Sequence, residues 1–522
     1  MPTAGSSTDA ASPVGVGAGF VAETRRAVAD VGHLVRFRTA SLRRRRAGVV
    51  ALAAFVVVTL GAAVAPAFVP GAGAGSGRAL DLLLLLPTML TGFLALTIVS
   101  ATASGGGREL LARDPAAVHP ISPTTDHLGA LLLAPLNIAW LLQAWALLAV
   151  TAFALGPKLY LAQAQVVVVL WLGAATAIAQ VLAWILEGVR RVPHGIVGIR
   201  ALTVGVLGAT LGLQISGRLL QVFDELPTRW VVVGMVSDSV GRWALTVGVV
   251  LAMLVGAVVL GAVPAHIAAH RIPQDELDVE SGHHPVRRLA RSAWGQLVRT
   301  DRASVWRAVP MRRGVAVLAL APGLVALAGN LPWAQLTVLP GLVASGGALL
   351  WGVNAWCLDG RGGLWRESLP VPPETVFDAR AWVLGEFLLA ASLVTVLLGA
   401  VRAGVPSVAE LTALVCTLVV VTLQVVAASL RWSDQRPFAV DLRSARATPA
   451  PPVVMVGYSA RLALSTTVTG LVFSGLANVD AWQVSVLVAV PFLAWSTARL
   501  LRTRRAWGEP VGRARVITAV AV

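Results

Sequence analysis

The sequence predicts an all-α polytopic membrane protein: about 12 transmembrane helices in two parallel six-helix repeats, each preceded by a cytosolic amphipathic interfacial helix. Three observations carry this. The 522 residues are 56% hydrophobic and 13% charged, with a mean hydropathy of +0.76, outside the make-up of a soluble domain. The apolar residues come in continuous runs, such as "AGVVALAAFVVVTLGAAVAPAFV" (47–69) and "WALTVGVVLAMLVGAVVLGAVPA" (243–265). A spanning helix needs about 20 such residues, whereas an outer-membrane strand would alternate at every second one. Finally, "LVRFRTASL" (34–42) returns as "LVRTDRASV" (297–305), identical at five of nine positions, as a duplicated unit would leave it.

Residues 1–46 read as a polar tail ending in an amphipathic helix, with Val21, Val28, Val31 and Val35 on one side and Arg25, Arg26 and Arg36 between them. The first half, 47–266, holds spans near 47–69, 80–103, 130–155, 163–187, 197–216 and 243–266. A linker, 267–313, carries the second amphipathic helix. There Val286, Leu289, Trp294, Leu297, Val298 and Val305 form the apolar side, and Arg287, Arg288, Arg291 and Arg299 fill the rest. The second half, 314–500, holds spans near 314–331, 333–357, 381–402, 406–431, 454–476 and 481–500, and 501–522 is a basic tail. With the N-terminus inside, most of the 42 Lys and Arg residues fall on cytosolic segments, as the positive-inside rule requires, so both termini are expected in the cytosol.

Further echoes keep the same order. "PISPTT" (120–125) and "PVPPET" (370–375) both fit P-x-x-P-x-T between a half's second and third spans. "QVLAWIL" from Gln180 answers "QVVAASL" from Gln424 late in each fourth span, and Arg200 and Arg461 each sit near the start of a fifth. Six spans per half is an even number, so the halves share one orientation.

Several chemistries are excluded or weakly supported. Lys158 is the sole lysine, so no G-x-x-x-x-G-K-[ST] phosphate loop exists, and Gly15, Gly17 and Gly19 belong to a tail with no strand before them. The net charge of +16 is accounted for by anionic headgroups without a nucleic-acid partner. His266 and His270, near Asp275 and Glu276, read as helix-end histidines and not as a metal site. Cys357 and Cys416 lie in different spans at different expected depths, which argues against a disulfide. Within the spans Asn137, Gln143, Gln180, Asn354, Glu386, Gln424 and Arg461 are polar. Packing explains most of them, while Gln180 and Gln424, at matching depth, are candidates for the half–half interface or a pathway. Glu386 and Arg461 lie close enough to the cytosolic ends to snorkel. Gly208 and Gly212 form a G-x-x-x-G expected to pack against a helix.

These residues resemble the permease subunits of type-2 ABC transporters (ABC-2), in a fused two-times-six-helix form. The matching stretches are 20–46 and 285–309, which correspond to the family's interfacial helices, and the loops "GGGRELLARDPAAVHPISPTTD" (105–126) and "NAWCLDGRGGLWRESLPVPPET" (354–375). The "DGRGGLW" run is similar to permeases of high-GC bacteria. The resemblance implies a bacterial plasma-membrane exporter working by alternating access, without catalytic residues, metal or cofactor of its own. ATP and Mg would be held by a separate ABC ATP-binding protein, in two copies, that docks on the two loops. The implied coupling residues are Arg108, Glu109, Arg113, Asp114, Pro120 and Pro123 in the first loop, and Arg361, Arg366, Glu367, Pro370 and Pro373 in the second. The family's usual chain has six spans and dimerises, whereas this one carries both halves. Its outer segment between spans five and six could be 217–242, but "LANVDA" is too short to be the equivalent. A proton- or ion-coupled secondary transporter is the alternative, though neither loop carries G-x-x-x-D-R-x-G-R-R. A lipid-linked glycosyltransferase would need acids in the first outer loop, which offers Asp81 alone, and a non-transporting membrane protein remains a further reading.

Overall fold

The computed structural model describes residues 13–40, 45–73, 75, 77–103, 121–136, 138–158, 160–218, 221–222, 225–271, 289–440, 450 and 452–521, and its regular structure there is all helical. In chain order the helices are α1 (Pro13–Ala40), α2 (Arg45–Val64), α3 (Arg78–Ala103), α4 (Pro123–Leu133), α5 (Ile138–Leu155), α6 (Leu161–Arg190), α7 (Gly195–Ile215), α8 (Thr228–Met235), α9 (Val240–Leu260) and α10 (Ala262–Ala269). There follow α11 (Ala293–Arg307), α12 (Val309–Ala328), α13 (Trp333–Leu336), α14 (Leu339–Leu350), α15 (Gly362–Glu367), α16 (Pro373–Ala400), α17 (Val408–Gln435), α18 (Pro452–Leu476), α19 (Trp482–Gly508) and α20 (Pro510–Ala521). Among the described residues nine helical stretches are long and apolar enough to cross a membrane, and Leu52–Phe68 and Trp140–Leu155 are shorter apolar helices. Large apolar side chains such as Val204 and Leu487 point outward, the inverse of a soluble surface and the pattern of a lipid-facing bundle.

Two apolar cores organise the chain. One is built on Leu86, Leu90, Trp171 and Met235, the other on Trp351, Phe377, Leu384 and Val425. In the first, α6 packs on α3 and α9, and α5 on α2 and α3; in the second, α17 packs on α14 and α19, and α16 on α12 and α14. Glycines let some of these helices approach closely. A Cβ at Gly341 of α14 would lie 2.8 Å from the Thr466 carbonyl oxygen of α18, and one at Gly323 of α12 equally close to that of Thr395 in α16.

Helix boundaries follow local chemistry. The second proline of each P-x-x-P-x-T motif is the first helical residue of its element, Pro123 in α4 and Pro373 in α16. That is where proline's missing N–H and fixed φ cost nothing. Ser122 caps α4 by accepting from the Thr125 amide, and Ser407 and Glu410 close a capping box on α17. The expected span 130–155 is interrupted at Ala134–Leu136, where Pro135 breaks the ladder. The expected span 333–357 ends early, at Leu350. Beyond it Ser433 Oγ donates to the Gly352 carbonyl and accepts from the Ala355 amide, so side chains take over backbone partners that a helix would have supplied.

The two sides differ at their fifth apolar helices. α18 packs between α14 and α17, whereas α7 is largely exposed, and Gly208 and Gly212 have no atom within 4 Å of an added Cβ. The expected helix–helix role of that G-x-x-x-G is therefore not met inside this chain. Residues 228–235 form the partly buried α8, held to α3 by the 2.9 Å hydroxyl contact of Thr91 and Thr228, with no counterpart in the short turn after α18.

Candidate functional site

Among the described residues an interlocked polar cluster lies at the end of the bundle where α11 runs along the base of α16. Helix α11 buries Leu297, Val298, Asp301 and Val305, residues spaced along one face, and exposes Arg302 and Trp306. Leu297, Val298 and Val305 are the apolar side expected from the sequence, while Trp294 and Leu289 stay exposed. The residue that reading missed is Asp301. It stands four after Leu297 and four before Val305, an acid on an apolar stripe, and that spacing is the signal that could have found it.

Asp301 meets Arg380, which is fully buried two turns into α16. Arg380 Nε donates to Asp301 Oδ2 at 2.8 Å and Nη2 to Oδ1 at 3.1 Å; Nη2 also donates to Asp359 Oδ1 at 2.7 Å, and Nη1 to the Ala355 carbonyl. Arg366 of α15 completes the set, with Nη2 to Asp301 Oδ1 at 2.5 Å and Nη1 to Asp359 Oδ2 at 3.2 Å. Two acids and two guanidiniums thus interlock, so the buried charge is balanced within the cluster. Burial pushes the Asp301 carboxyl up, but the charges of Arg380 and Arg366 outweigh it and hold the group below the usual carboxylate range.

Helix α15 has two faces of opposite character. Arg366 turns inward, and Gly363 is buried. Trp365, 79% exposed, with Leu364 and, just past the helix, Leu369, faces out. A protruding Trp between two Leu residues is what a partner's apolar cleft would grip. Of the sequence-derived residues of this loop, Arg361 is exposed, Pro370 is exposed and Pro373 opens α16. Arg366 is committed to the charge cluster, and Glu367 accepts from Arg513 Nε at 2.9 Å. Of the first-loop residues Pro123 opens α4, whereas Arg108, Glu109, Arg113, Asp114 and Pro120 lie outside the described residues.

On the other side of the molecule α1 is fastened differently. Glu23 Oε1 accepts from Thr124 Oγ1 of α4 at 2.8 Å and lies 2.8 Å from His266 Nε2 of α10. The Thr124 hydrogen bond, opposed by burial and aided by His266 and Arg26, lowers the Glu23 pKa. His270 Nδ1 is 2.8 Å from the His266 carbonyl oxygen. Seven residues beyond its starting proline α4 carries Ala130, where α16 carries Arg380, so the buried charge cluster has no twin there.

Gln424 meets a neighbouring helix of its own half. Gln424 Oε1 accepts from Thr469 Oγ1 of neighbouring α18 at 3.2 Å, and Gln180 is buried in α6. Polar contacts between the two sides occur at both ends of the bundle. At the end carrying α11, Arg313 Nη1 of α12 reaches the buried Glu187 of α6 at 3.4 Å, beside Arg190 and Arg191. At the opposite end Gln214 Nε2 donates to the Leu327 carbonyl at 2.8 Å, and Arg402 Nη1 donates to the Gln214 carbonyl at 3.0 Å. Among the snorkelling candidates, Glu386 pairs with Arg302 of α11 at 2.7 Å, and the Arg461 guanidinium sits 6.0 Å from the Trp432 ring.

No group of three or more His, Cys, Asp or Glu side chains among the described residues is arranged to hold a metal ion. What the junction offers is mechanical: an outward apolar knob, and, on the same short helix, a guanidinium wired to the base of a long apolar helix and to the helix beside it. No known protein family, curated protein or solved structure matches the chain, so the reading of this junction stands on its own residues.

Proposed function

We propose that the chain is the transmembrane permease subunit of an ABC exporter, with twelve spans in two parallel six-helix halves and both termini cytosolic in a bacterial plasma membrane. The observation that carries this reading is α15: Trp365 projects outward while the adjacent Arg366 is buried against Asp301 and Asp359. A push on Trp365 is delivered through the Arg366–Asp301–Arg380 cluster to α11 and α16 together, because close-packed, fully paired charges do not yield independently. That is the linkage a separate ATP-driven motor needs. The matched pairings α6 on α3 and α9, and α17 on α14 and α19, support two halves of common plan, as do the two prolines that start α4 and α16.

In this reading two copies of an ABC ATP-binding protein, holding ATP and Mg, dock on the loops 105–126 and 359–378. The second loop docks through Leu364, Trp365 and Leu369, with Arg361 at the rim, while Arg366 and Glu367 transmit and brace. Closure of the motor rocks one half against the other, and the Glu187–Arg313 and Gln214–Leu327 contacts are then the ones that break and re-form at opposite ends.

Affinity purification of the tagged chain from mild detergent, assayed for co-purifying ATPase activity, tests this. Trp365→Ala combined with Leu369→Ala is expected to lose the ATPase while leaving the monodisperse membrane protein intact. Absence of any ATPase from the unaltered chain, with transport that instead follows a proton gradient, would replace this reading with a secondary transporter.

A further inference from the structure

The C-terminal helix α20 lies across α15 on the face opposite Trp365, and nothing in the docking reading requires it. Trp507, at the end of α19, stacks on Trp356 with ring centroids 3.8 Å apart and planes within 6°. The chain then turns at Glu509 and Pro510. Arg513 pins that turn: its Nη1 donates to the carbonyls of Trp507 and Gly508, and its Nε to Glu367 of α15. Beyond it Val516, Ile517 and Val520 are buried. An added Cβ on Gly363 would touch Ile517 Cγ2 at 3.4 Å, and Trp356, Gly363, Val376, Trp507, Ile517 and Val520 line one small depression.

Two physical facts make this contact a two-state element. At 12 residues, with three β-branched aliphatics providing its buried face, α20 is too short to hold a helix in isolation. It is helical because it is seated, so release and unfolding are one event. Its polar ties are accessible, since Glu367 is about a third exposed and Arg515 Nη2 donates to the Asp434 carbonyl, at 3.2 Å, at an exposed position. A short segment held by one apolar face and a few accessible polar ties belongs to the low-stability end of a fold, where switching elements are found.

We propose that α20 is a releasable strap that holds α15 in the conformation presenting Leu364, Trp365 and Leu369, so that the seating of the C-terminus decides whether the second loop is competent to dock. The docking consequence rests on the reading above; the strap itself does not. In the seated state Gly363 is covered and Arg366 is aimed at Asp301. With α20 released, Gly363 and Val376 are uncovered, α15 loses the cover of Ile517 and the tie from Arg513 to Glu367, and the knob is no longer carried on a fixed base.

The test uses the full chain with Cys357→Ala, Cys416→Ala and Gly363→Cys, the added Cβ lying in ordinary contact with Ile517 Cγ2. Maleimide labelling of that thiol is expected to be slow. It should become at least about tenfold faster in a chain ending at Glu509 and in the Ile517→Asp variant, because each releases a locally, not globally, stable unit. Thermal unfolding of the membrane bundle should be unchanged, which separates release from misfolding, and both variants should lose captured ATPase as the combined Trp365→Ala and Leu369→Ala variant does. Equal labelling with and without α20 overturns the strap. Faster labelling with capture retained overturns its control of docking. Should the unaltered chain capture no ATPase, the docking reading fails, and trypsin cleavage after Arg361, expected to accelerate on release, then decides the strap alone.

Discussion

Replacing Arg380 by Met should be among the most destabilising single changes in the chain, and its size follows from the contacts. The side chain is 1% exposed and supplies three bonds to two carboxylates and one to a backbone carbonyl. Met fills a similar volume but leaves Asp301 and Asp359 sharing only Arg366, in a place where water cannot compensate. Removing one partner of a buried ion pair costs about 3–5 kcal/mol, or about two to three and a half decades in the folded-to-unfolded ratio. Arg302→Met provides the contrast, because its pair with Glu386 is 45% and 38% exposed and such pairs contribute about 0–1 kcal/mol. Equilibrium unfolding in mixed micelles with increasing denaturing detergent would measure both. Combining Arg380→Met with Asp301→Leu should cost less than the sum of the two, since the second change removes an acid that the first strands. Equal effects of Arg380→Met and Arg302→Met, or strict additivity of the double variant, would refute the view that this cluster is an interlocked unit.

Four other outcomes are expected. The carboxyl of Asp301 is held below its ordinary range, so the stability it supplies is complete above that range and lost as pH falls through its depressed pKa. The gap between the parent chain and Asp301→Asn should therefore narrow on acidification in a pH series of unfolding midpoints. Arg313→Ala should destabilise by about 1.5–3 kcal/mol, the worth of a hydrogen bond to a charged group, read as a lowered thermal midpoint. Gly341→Ala should cost about 1–3 kcal/mol by forcing α14 from the Thr466 carbonyl of α18, visible as a lowered thermal midpoint. Gly208→Ala, with nothing within 4 Å, should be neutral or stabilise α7 by up to about 1 kcal/mol in the same assay.

The helices were legible because a lipid-facing segment must be apolar along its whole length. Every expected span has a described helix over most of it, from α2 at 47–69 to α19 at 481–500. Boundaries failed where one side chain outbid the backbone ladder, as Ser433 does beyond Leu350 and Pro135 does within 130–155. The site was half legible. The loop 354–375 was singled out, with Arg361, Arg366 and Glu367 expected from the resemblance to make the docking contacts. Partners distant in sequence reversed that: Arg366 is drawn inward by Asp301, 65 residues away, and Glu367 is taken by Arg513. Trp365 and Leu364 were left outside instead. Gln180 and Gln424 matched in depth, yet depth along a helix says nothing about which way it is rotated, and Gln424 faces Thr469.

The difference between Ala130 and Arg380 carries a consequence for how such a molecule can change over time. An assembly of two identical six-helix chains must adopt every substitution twice, so a buried guanidinium would come with a second one and a second set of acids to receive it. Joining both sets of helices in one polypeptide removes that obligation. One side can keep a buried cluster of two acids and two guanidiniums braced by α20, while the other keeps a histidine and a threonine around a single, partly exposed glutamate. The two junctions need not then be alike, and each can be altered without a matching change in the other.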